Sequence, residues 1–494
     1  MNHETLAAVD LGSNSFHLQI GRVVEHQIYL FDSLREPVRL GAGLTRDKRL
    51  DRATQLRALE ALRRFGERLR GFPKAAVRAV GTNALRVAKN AAEFVKEAEA
   101  VLGFPIEIVF GREEARLIYI GVAHSLPPCP DRRLVVDIGG GSTEFVIGTG
   151  LEPELVESVS MGCVSYTLKF FPDGRLEKSS FKKAELAAAN ELQRLVESFR
   201  STGWTEAVGS SGTVKTIAAI LAGQQWSEHG ITAEALDRLR ALMIKAGEPG
   251  KLRIPDLRED RAAVLPGGVA ILGGVFSQLG IERMEASEGA LRDGVLYDLL
   301  GRTQHHDMRE ATVGHFQRRY HVDIAQSERV RRLAESIDAD LGPSGEADFD
   351  LLRWACALHE IGITIAHAGY HKHSAYILAQ ADMPGFSQRD QQRLARLVLA
   401  HRGKLAKLEL QALPAASAEW SLIAALRLAA LLCRSRRDVA LPQVRCRSTE
   451  SGFEVAVTGA WLEAHPLTEA ALEAESEEWR TVGLELDVLR VAAA

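Results

Sequence analysis

Three turns rich in Gly, Ser and Thr stand at the ends of short apolar runs: Gly12-Ser13-Asn14-Ser15, Gly139-Gly140-Gly141-Ser142-Thr143 and Gly209-Ser210-Ser211-Gly212-Thr213. Glycine lets the backbone approach an anion and turn N–H groups toward it, and hydroxyls add donors. One such turn usually only reverses the chain. Three of them, two repeating one pattern, point to a cleft that grips successive phosphate groups from opposite walls. Asp10, Asp137 and Glu144 flank the turns. A carboxylate beside a phosphate cradle repels the ligand unless a cation lies between them. Mg²⁺ suits that place, because it binds through one or two carboxylates, several waters and phosphate oxygens. Asp10 alone would read as a turn cap; Asp137 and Glu144 together across GGGST favour the metal.

Gly111-Arg112-Glu113-Glu114-Ala115 opens a helix directly after a strand. Glutamates there either answer the helix dipole or supply a general base that deprotonates water for attack on phosphorus. The spacing does not separate Glu113 from Glu114. Arg86, in the segment GTNALR (81–86), is a candidate phosphate clamp, since a guanidinium fork matches phosphate oxygens and stays charged; an exposed helical arginine is an equal alternative. His359-Glu360-Ile361-Gly362, with His367, His371, His373 and His401 nearby, invites a metal. The spacing resembles HD-type phosphohydrolases, whose metal needs Asp directly after that His. Glu360 stands there instead, so the reading is a structural relic, with His371-Lys372-His373 adding a basic surface.

The elements that must position these residues repeat. AAVDLGSNSFHLQIG and LVVDIGGGSTEFVIG share the Asp, the first Gly, the Ser, the Ile and the closing Gly, with the aspartates 127 residues apart. A duplicated domain leaves that mark. Leu6–Asp10 and Phe16–Val24, and later Leu134–Asp137 and Thr143–Ile147, read as strands around the turns. Between and after them strands alternate with helices (52–70, 91–102, 113–124, 181–199, 214–221), which predicts α/β layers with sites at strand ends. From Asp307 to about Arg437 the pattern is helical. The tail reads as a hairpin, Gln443–Thr449 with Phe453–Thr458, a helix near Thr468–Trp479 and a final strand, so a small α+β unit is expected. The expected domains are 1–118, 119–302, 303–438 and 439–494.

The chain's 494 residues, 46% hydrophobic and 26% charged, exclude general disorder. Lys and Arg total 61 against 65 Asp and Glu, which excludes a polycationic nucleic-acid wrapper; no nucleic-acid partner is expected. Five scattered cysteines, never spaced as C-x-x-C, argue against disulfides and Cys-based zinc and suit a reducing compartment. The start, MNHETLAAVDLGSNS, carries no secretory pattern. The weakly polar stretch Ala262–Phe276, broken by Pro266 and four glycines, falls short of the roughly 20 residues a spanning helix needs. A cytoplasmic protein is expected, with association at the inner membrane surface left open.

Together, DLGSNSFH (10–17), GTNALR (81–86), GREEARLIYIGVAHS (111–125), VVDIGGGSTE (135–144), SMGCVS (160–165), GSSGT (209–213) and GALRDGVLYDLLGR (289–302) resemble the exopolyphosphatase and guanosine pentaphosphate phosphohydrolase family. HEIG (359–362), HKHSAYIL (371–378) and the tail resemble its long, four-domain members. The resemblance implies duplicated actin-like ATPase (ribonuclease H-like) domains, then an all-α HD-like domain and a small α+β C-terminal domain. It implies Mg²⁺-dependent, processive removal of terminal orthophosphate from inorganic polyphosphate. On this chain Glu114 matches the general base, and Asp137 and Glu144 match the metal- and phosphate-proximal carboxylates, while Asp10 is a metal candidate by its place beside the first turn. Ser13, Asn14, Arg86, Ser142 and the 209–213 turn match phosphate-binding elements. A homodimer is implied, with C-terminal domains extending a basic channel. Two departures stand out: Ser287-Glu288 where many members have Asp, and HE in place of HD. Hydrolysis of guanosine pentaphosphate is the nearest alternative, a non-catalytic polyphosphate or alarmone sensor the next, and a sugar or acetate kinase a third.

Overall fold

A computed structural model describes residues 4–492 except 26, 256, 304–306, 408–412, 414–416 and 438–443. The chain forms two compact units that divide between Met308 and Arg309.

The first unit contains two sheets built to one plan. β1 (Thr5–Leu11), β2 (Phe16–Val24), β3 (Gln27–Glu36), β4 (Val77–Gly81) and β5 (Ile106–Ile108) lie in the order β3-β2-β1-β4-β5. β6 (Arg132–Ile138), β7 (Thr143–Thr149), β8 (Glu152–Val159), β9 (Glu206–Ser210), β10 (Ile231–Thr232) and β11 (Arg283–Ala286) lie in the order β10-β11-β9-β6-β7-β8. Read from β3 and from β8, each sheet is an antiparallel three-strand meander continued by two parallel strands, and the second sheet ends in β10, antiparallel to β11. The repeat extends to a defect. The pairing slips at Gly21 in one meander and at Gly148 in the other, the closing glycines of the two repeated segments. A β-bulge there bends each strand. Glycine is required at both, because an added Cβ would lie 2.4 Å from Ile28 Cγ2 at Gly21 and 2.4 Å from Glu152 O at Gly148.

The strands are apolar on both faces because helices cover both faces. On β1, Ala7, Val9 and Leu11 enter an outer core, while Leu6 and Ala8 face inward. On β6, Leu134, Val136 and Ile138 face outward and Val135 inward. The inward residues of both sheets meet on two helices, Gly111–Ser125 and Leu291–Thr303. These helices cross so closely that a Cβ on Gly294 would lie 1.7 Å from Leu117 O, and one on Gly121 2.2 Å from Ala290 O. Gly→Ala inside a helix ordinarily gains up to about 1 kcal/mol. At Gly294 the sign reverses: Gly294→Ala should cost about 3 kcal/mol or more through forced separation of backbones, read as a lower midpoint in thermal unfolding. The stretch Leu265–Leu279 is a helix buried along nearly its whole length against Lys178–Thr202. No helix among the described residues is long and apolar enough to cross a membrane.

The second unit is a bundle that includes Ile324–Leu341, Glu346–Leu358, Tyr370–Gln380, Gln388–Ala400 and Glu419–Leu432. A sheet of β12 (Arg445–Ser448), β13 (Gly452–Thr458) and β14 (Glu485–Val491) carries the helix Pro466–Arg480. Trp479 from that helix is fully buried between Trp420 of the bundle and Phe453 of the sheet, with ring centroids 5.8 and 5.2 Å away. Helices and sheet share one hydrophobic core.

Candidate active site

The two equivalent hairpins bring their tips together. Asp10 stands opposite His17 across β1–β2, and Asp137 opposite Glu144 across β6–β7. Between them lie the turns 12–15 and 139–142. A Cβ on Gly140 would lie 2.8 Å from Ser13 Cβ, one on Gly12 2.9 Å from Ser15 O, and one on Gly141 2.3 Å from Asn83 Oδ1. The glycines are thus what permits the two tips to face one another.

Register also pairs two further turns. Asp10 lies beside Val80 on β4, and Asp137 beside Ser210 on β9. Gly81-Thr82-Asn83 therefore occupies in one half the place of Ser211-Gly212-Thr213 in the other. The latter opens the helix Ser211–Gly223, whose N-terminal amides suit an anion. Ser211 sits at φ 85°, a left-handed conformation costly for a non-glycine residue, and its Oγ accepts from Thr213 N at 3.2 Å.

A cavity of about 610 Å³ opens between these turns. Of the residues the sequence singles out, Asp10, Gly12, Ser13, Asn14, Ser15, Glu114, Asp137, Gly139, Gly140, Ser142, Ser211, Gly212 and Thr213 line it. The others stand behind it. Thr143 Oγ1 donates to Met161 O (2.6 Å) and Ser210 Oγ to Gly289 O (2.9 Å), so neither hydroxyl proton is open to a ligand. Gly209 lies under Val214 and Met284, and Gly141 against Asn83. Arg86 holds Glu114 Oε2 and Val109 O with Nη1, at 2.6 and 3.0 Å, instead of facing the cavity. Glu144 accepts from Ser158 Oγ at 2.9 Å with one oxygen, while the other has no partner. Glu288 is an exposed side chain tied to Lys215 Nζ at 2.7 Å, away from the cavity.

The choice between Glu113 and Glu114 is made by Arg116. It takes both oxygens of Glu113 at 2.8 Å, three residues along the same helix. Glu114, next in sequence, points into the cavity.

Five cations absent from the sequence reading complete the lining: Arg35, Lys215, Arg258, Arg261 and Arg292. Arg261 lies on Gly212, where a Cβ would come within 2.3 Å of its Nη2. The field they set up is felt by His17, which burial and then Arg292, Arg35, Arg261 and Lys215 push down to about 3. His17 is therefore neutral, with Nε2 2.8 Å from Ser15 Oγ. The carboxylates are shifted the other way. Burial, reinforced by Glu114 and Asp137 and opposed by Arg292, lifts Asp10 to about 7. Burial and Glu114 lift Asp137 to about 7 against Lys215 and Arg292. Glu144 is raised well above the usual range by burial, Glu114 and Asp137.

These carboxylates fit a divalent cation. Asp10 Oδ1 and Glu144 Oε2 are buried without a hydrogen-bond partner among the described residues, and acidic groups forced together are stabilised by positive charge. Among the described residues no three His, Cys, Asp or Glu side chains converge tightly enough to hold an ion alone. That suits an ion that completes its shell with water and substrate oxygens.

The shifts carry a prediction. Folded, Asp137 keeps its proton up to about pH 7; unfolded, it loses it near its ordinary 3.8. The stability this group contributes is complete below about pH 4 and is lost as pH rises through 7. Asp137→Asn should therefore match wild type at pH 4 and exceed it at pH 8, by about 4 kcal/mol at most. Urea unfolding at both pH values with chelator present checks it; a difference independent of pH would remove the buried-carboxylate account.

Sheet order, duplication and paired phosphate-type turns define an actin-like ATPase fold with a phosphate-binding type of cleft. The chain belongs to the Ppx/GppA phosphatase family: that family's sequence profile matches residues 19–303, and the profile of Ppx/GppA phosphatase domain III matches residues 308–476. Solved structures agree. An exopolyphosphatase from Cytophaga hutchinsonii is 25% identical, with 60% of this chain and 97% of that one covered and a TM-score of 0.55. A Ppx/GppA enzyme from Aquifex aeolicus is 27% identical over 59% of this chain and 98% of its own, with a TM-score of 0.51. An exopolyphosphatase-like protein is 26% identical over 61% and 98%, with a TM-score of 0.56.

Proposed function

We propose that the chain is an exopolyphosphatase that releases orthophosphate from the end of inorganic polyphosphate. The observation that carries this reading is the cavity itself: glycine turns meeting at Ser13 and Gly140, five lining cations, and Glu114 facing the same space. The terminal phosphoryl group sits between turns 12–15 and 139–142, where backbone N–H groups and the Ser13, Ser15 and Ser142 hydroxyls receive its oxygens. Lys215, Arg261 and Arg292 offset the charge of the chain behind it. Glu114, held by Arg86, takes a proton from water as its oxygen bonds to phosphorus. The bridging P–O bond breaks in line, and its electron pair leaves with the shortened chain. A Mg²⁺ ion held by Asp10 and Asp137, with Glu144 behind them, would neutralise phosphoryl oxygens when bound.

Hydrolysis of guanosine pentaphosphate is the second reading, and one observation favours it. The far wall of the cavity is apolar, made by Ala219, Ile220, Ile254, Pro255 and Leu257. Polyphosphate has no apolar face to place there, whereas a nucleobase does. Phosphate release measured side by side on long polyphosphate and on guanosine pentaphosphate tests the choice. The first reading expects the larger kcat/KM on polyphosphate; a preference for the nucleotide would replace it with the second.

A further inference from the structure

The helical unit holds its own cavity, of about 300 Å³, which plays no part in the reaction above. Its floor is a fixed network. Arg427, 4% exposed, grips Glu475 through Nε and Nη2 at 2.5 and 2.8 Å. It also donates to Ala400 O at 2.5 Å and Gly403 O at 3.1 Å. Those carbonyls bracket His401 and Arg402, and Gly403, at φ 85°, makes the turn that presents both to the cavity.

Two buried imidazoles line the same space. His359 and His401 direct Nδ1 at the carbonyls of Cys356 (2.8 Å) and Val398 (2.5 Å). A carbonyl only accepts, so Nδ1 carries hydrogen and Nε2 of each neutral ring is an acceptor. His401 Nε2 has the Tyr370 hydroxyl at 3.3 Å. His359, 2% exposed, has no hydrogen bond at Nε2 among the described residues; Glu360 Oε1 stands 3.9 Å from it, too far for one. Arg402 lies over the Tyr370 ring, 5.2 Å from its centroid, and neither Arg402 nor Arg434 forms an ion pair among the described residues.

A metal is poorly matched to this set. Glu360 is already paired with Arg436, four guanidinium groups line the cavity, and no suitable ligand trio is present among the described residues. Arg402 and Arg434, without a carboxylate partner among the described residues, ask for an anion, and the His359 acceptor asks for a donor. Hydrogen phosphate meets both demands, as does the monoprotonated end group of a small phosphomonoester. We propose that this cavity binds a phosphate group between Arg402, Arg434 and His359, at a site separate from the catalytic cavity.

Equilibrium dialysis of the full chain against radiolabelled orthophosphate counts the sites. Arg402→Gln/Arg434→Gln is expected to bind one phosphate per chain fewer than wild type, with polyphosphate hydrolysis unchanged. Both arginines are surface side chains, so the fold should survive their loss; His359→Gln, read in parallel, should weaken the phosphate at this site by about tenfold or more. Displacement of that phosphate by glycerol 3-phosphate at lower concentration would identify a phosphomonoester, and its failure to compete would identify free orthophosphate. Equal numbers of phosphates bound by wild type and by the double variant would overturn the proposal. Neither result bears on Glu114, so this site and the catalytic reading stand or fall separately.

Discussion

Glu114→Gln is expected to lower kcat on polyphosphate by about 10²–10⁴ while leaving KM equal or smaller. The amide keeps the length and packing of the side chain but cannot take the proton from water. The split between the two constants follows from charge. Glu114 is one of the groups that raise Asp10, Asp137 and Glu144, so its neutralisation makes the cavity less repulsive to a polyanion. A purely structural role would move both constants together, or lower the melting temperature. Arg86→Gln should act in the same direction and more weakly, because Arg86 touches the reaction only through Glu114 Oε2.

The second large effect is on stability. Asp298 sits at the centre of a buried network: it accepts from Arg116, from Arg78 Nη1 at 2.6 Å and from Arg302 Nε at 3.2 Å. Side chains of Arg78, Arg116 and Asp298 are 1, 4 and 5% exposed. Burial alone would raise the Asp298 pKa, but Arg116, Arg78 and Arg302 overcome it and hold it far below the carboxylate range. Asp298→Asn leaves Arg116 with Glu113 and Arg78 with Glu107 but the buried network one countercharge short, at a cost of about 3–5 kcal/mol. A midpoint lower by roughly 10 °C is expected. Wild type loses this contribution as pH falls below about 4, where the unfolded carboxyl takes up its proton, so the gap between the proteins should narrow in acid. A gap that persists undiminished at pH 2–3 would speak against the ion network as its source.

The duplication was plain in the residues, since AAVDLGSNSFHLQIG and LVVDIGGGSTEFVIG each fold as strand, turn and strand around an aspartate and end on a bulge glycine. What the sequence hid is what no local pattern encodes. β3 is an edge strand whose Tyr29, Leu30 and Phe31 are all exposed, so neither alternation nor a buried run marks it. Segments 81–83 and 211–213 share almost no residues, and only their pairing beside Asp10 and Asp137 makes them counterparts. Arg35, Arg258 and Arg261 reach the cavity from stretches with no motif; Lys215 and Arg292, by contrast, sit within or beside quoted segments and could have been found there. Thr143 and Ser210 have the right residue type for phosphate, yet the fold commits their hydroxyls to backbone carbonyls. Glu113 and Glu114 differ by the partner one turn away, Arg116 for Glu113, a distinction that spacing could not make.

The most direct measurement is a crystal structure of the Glu114→Gln protein soaked with short-chain polyphosphate and Mg²⁺. The account places the terminal phosphorus between Ser13 and Gly140, with residue 114 beside it on the side opposite the bridging oxygen. A chain end lodged elsewhere, or residue 114 lying next to the bridging oxygen, would contradict it.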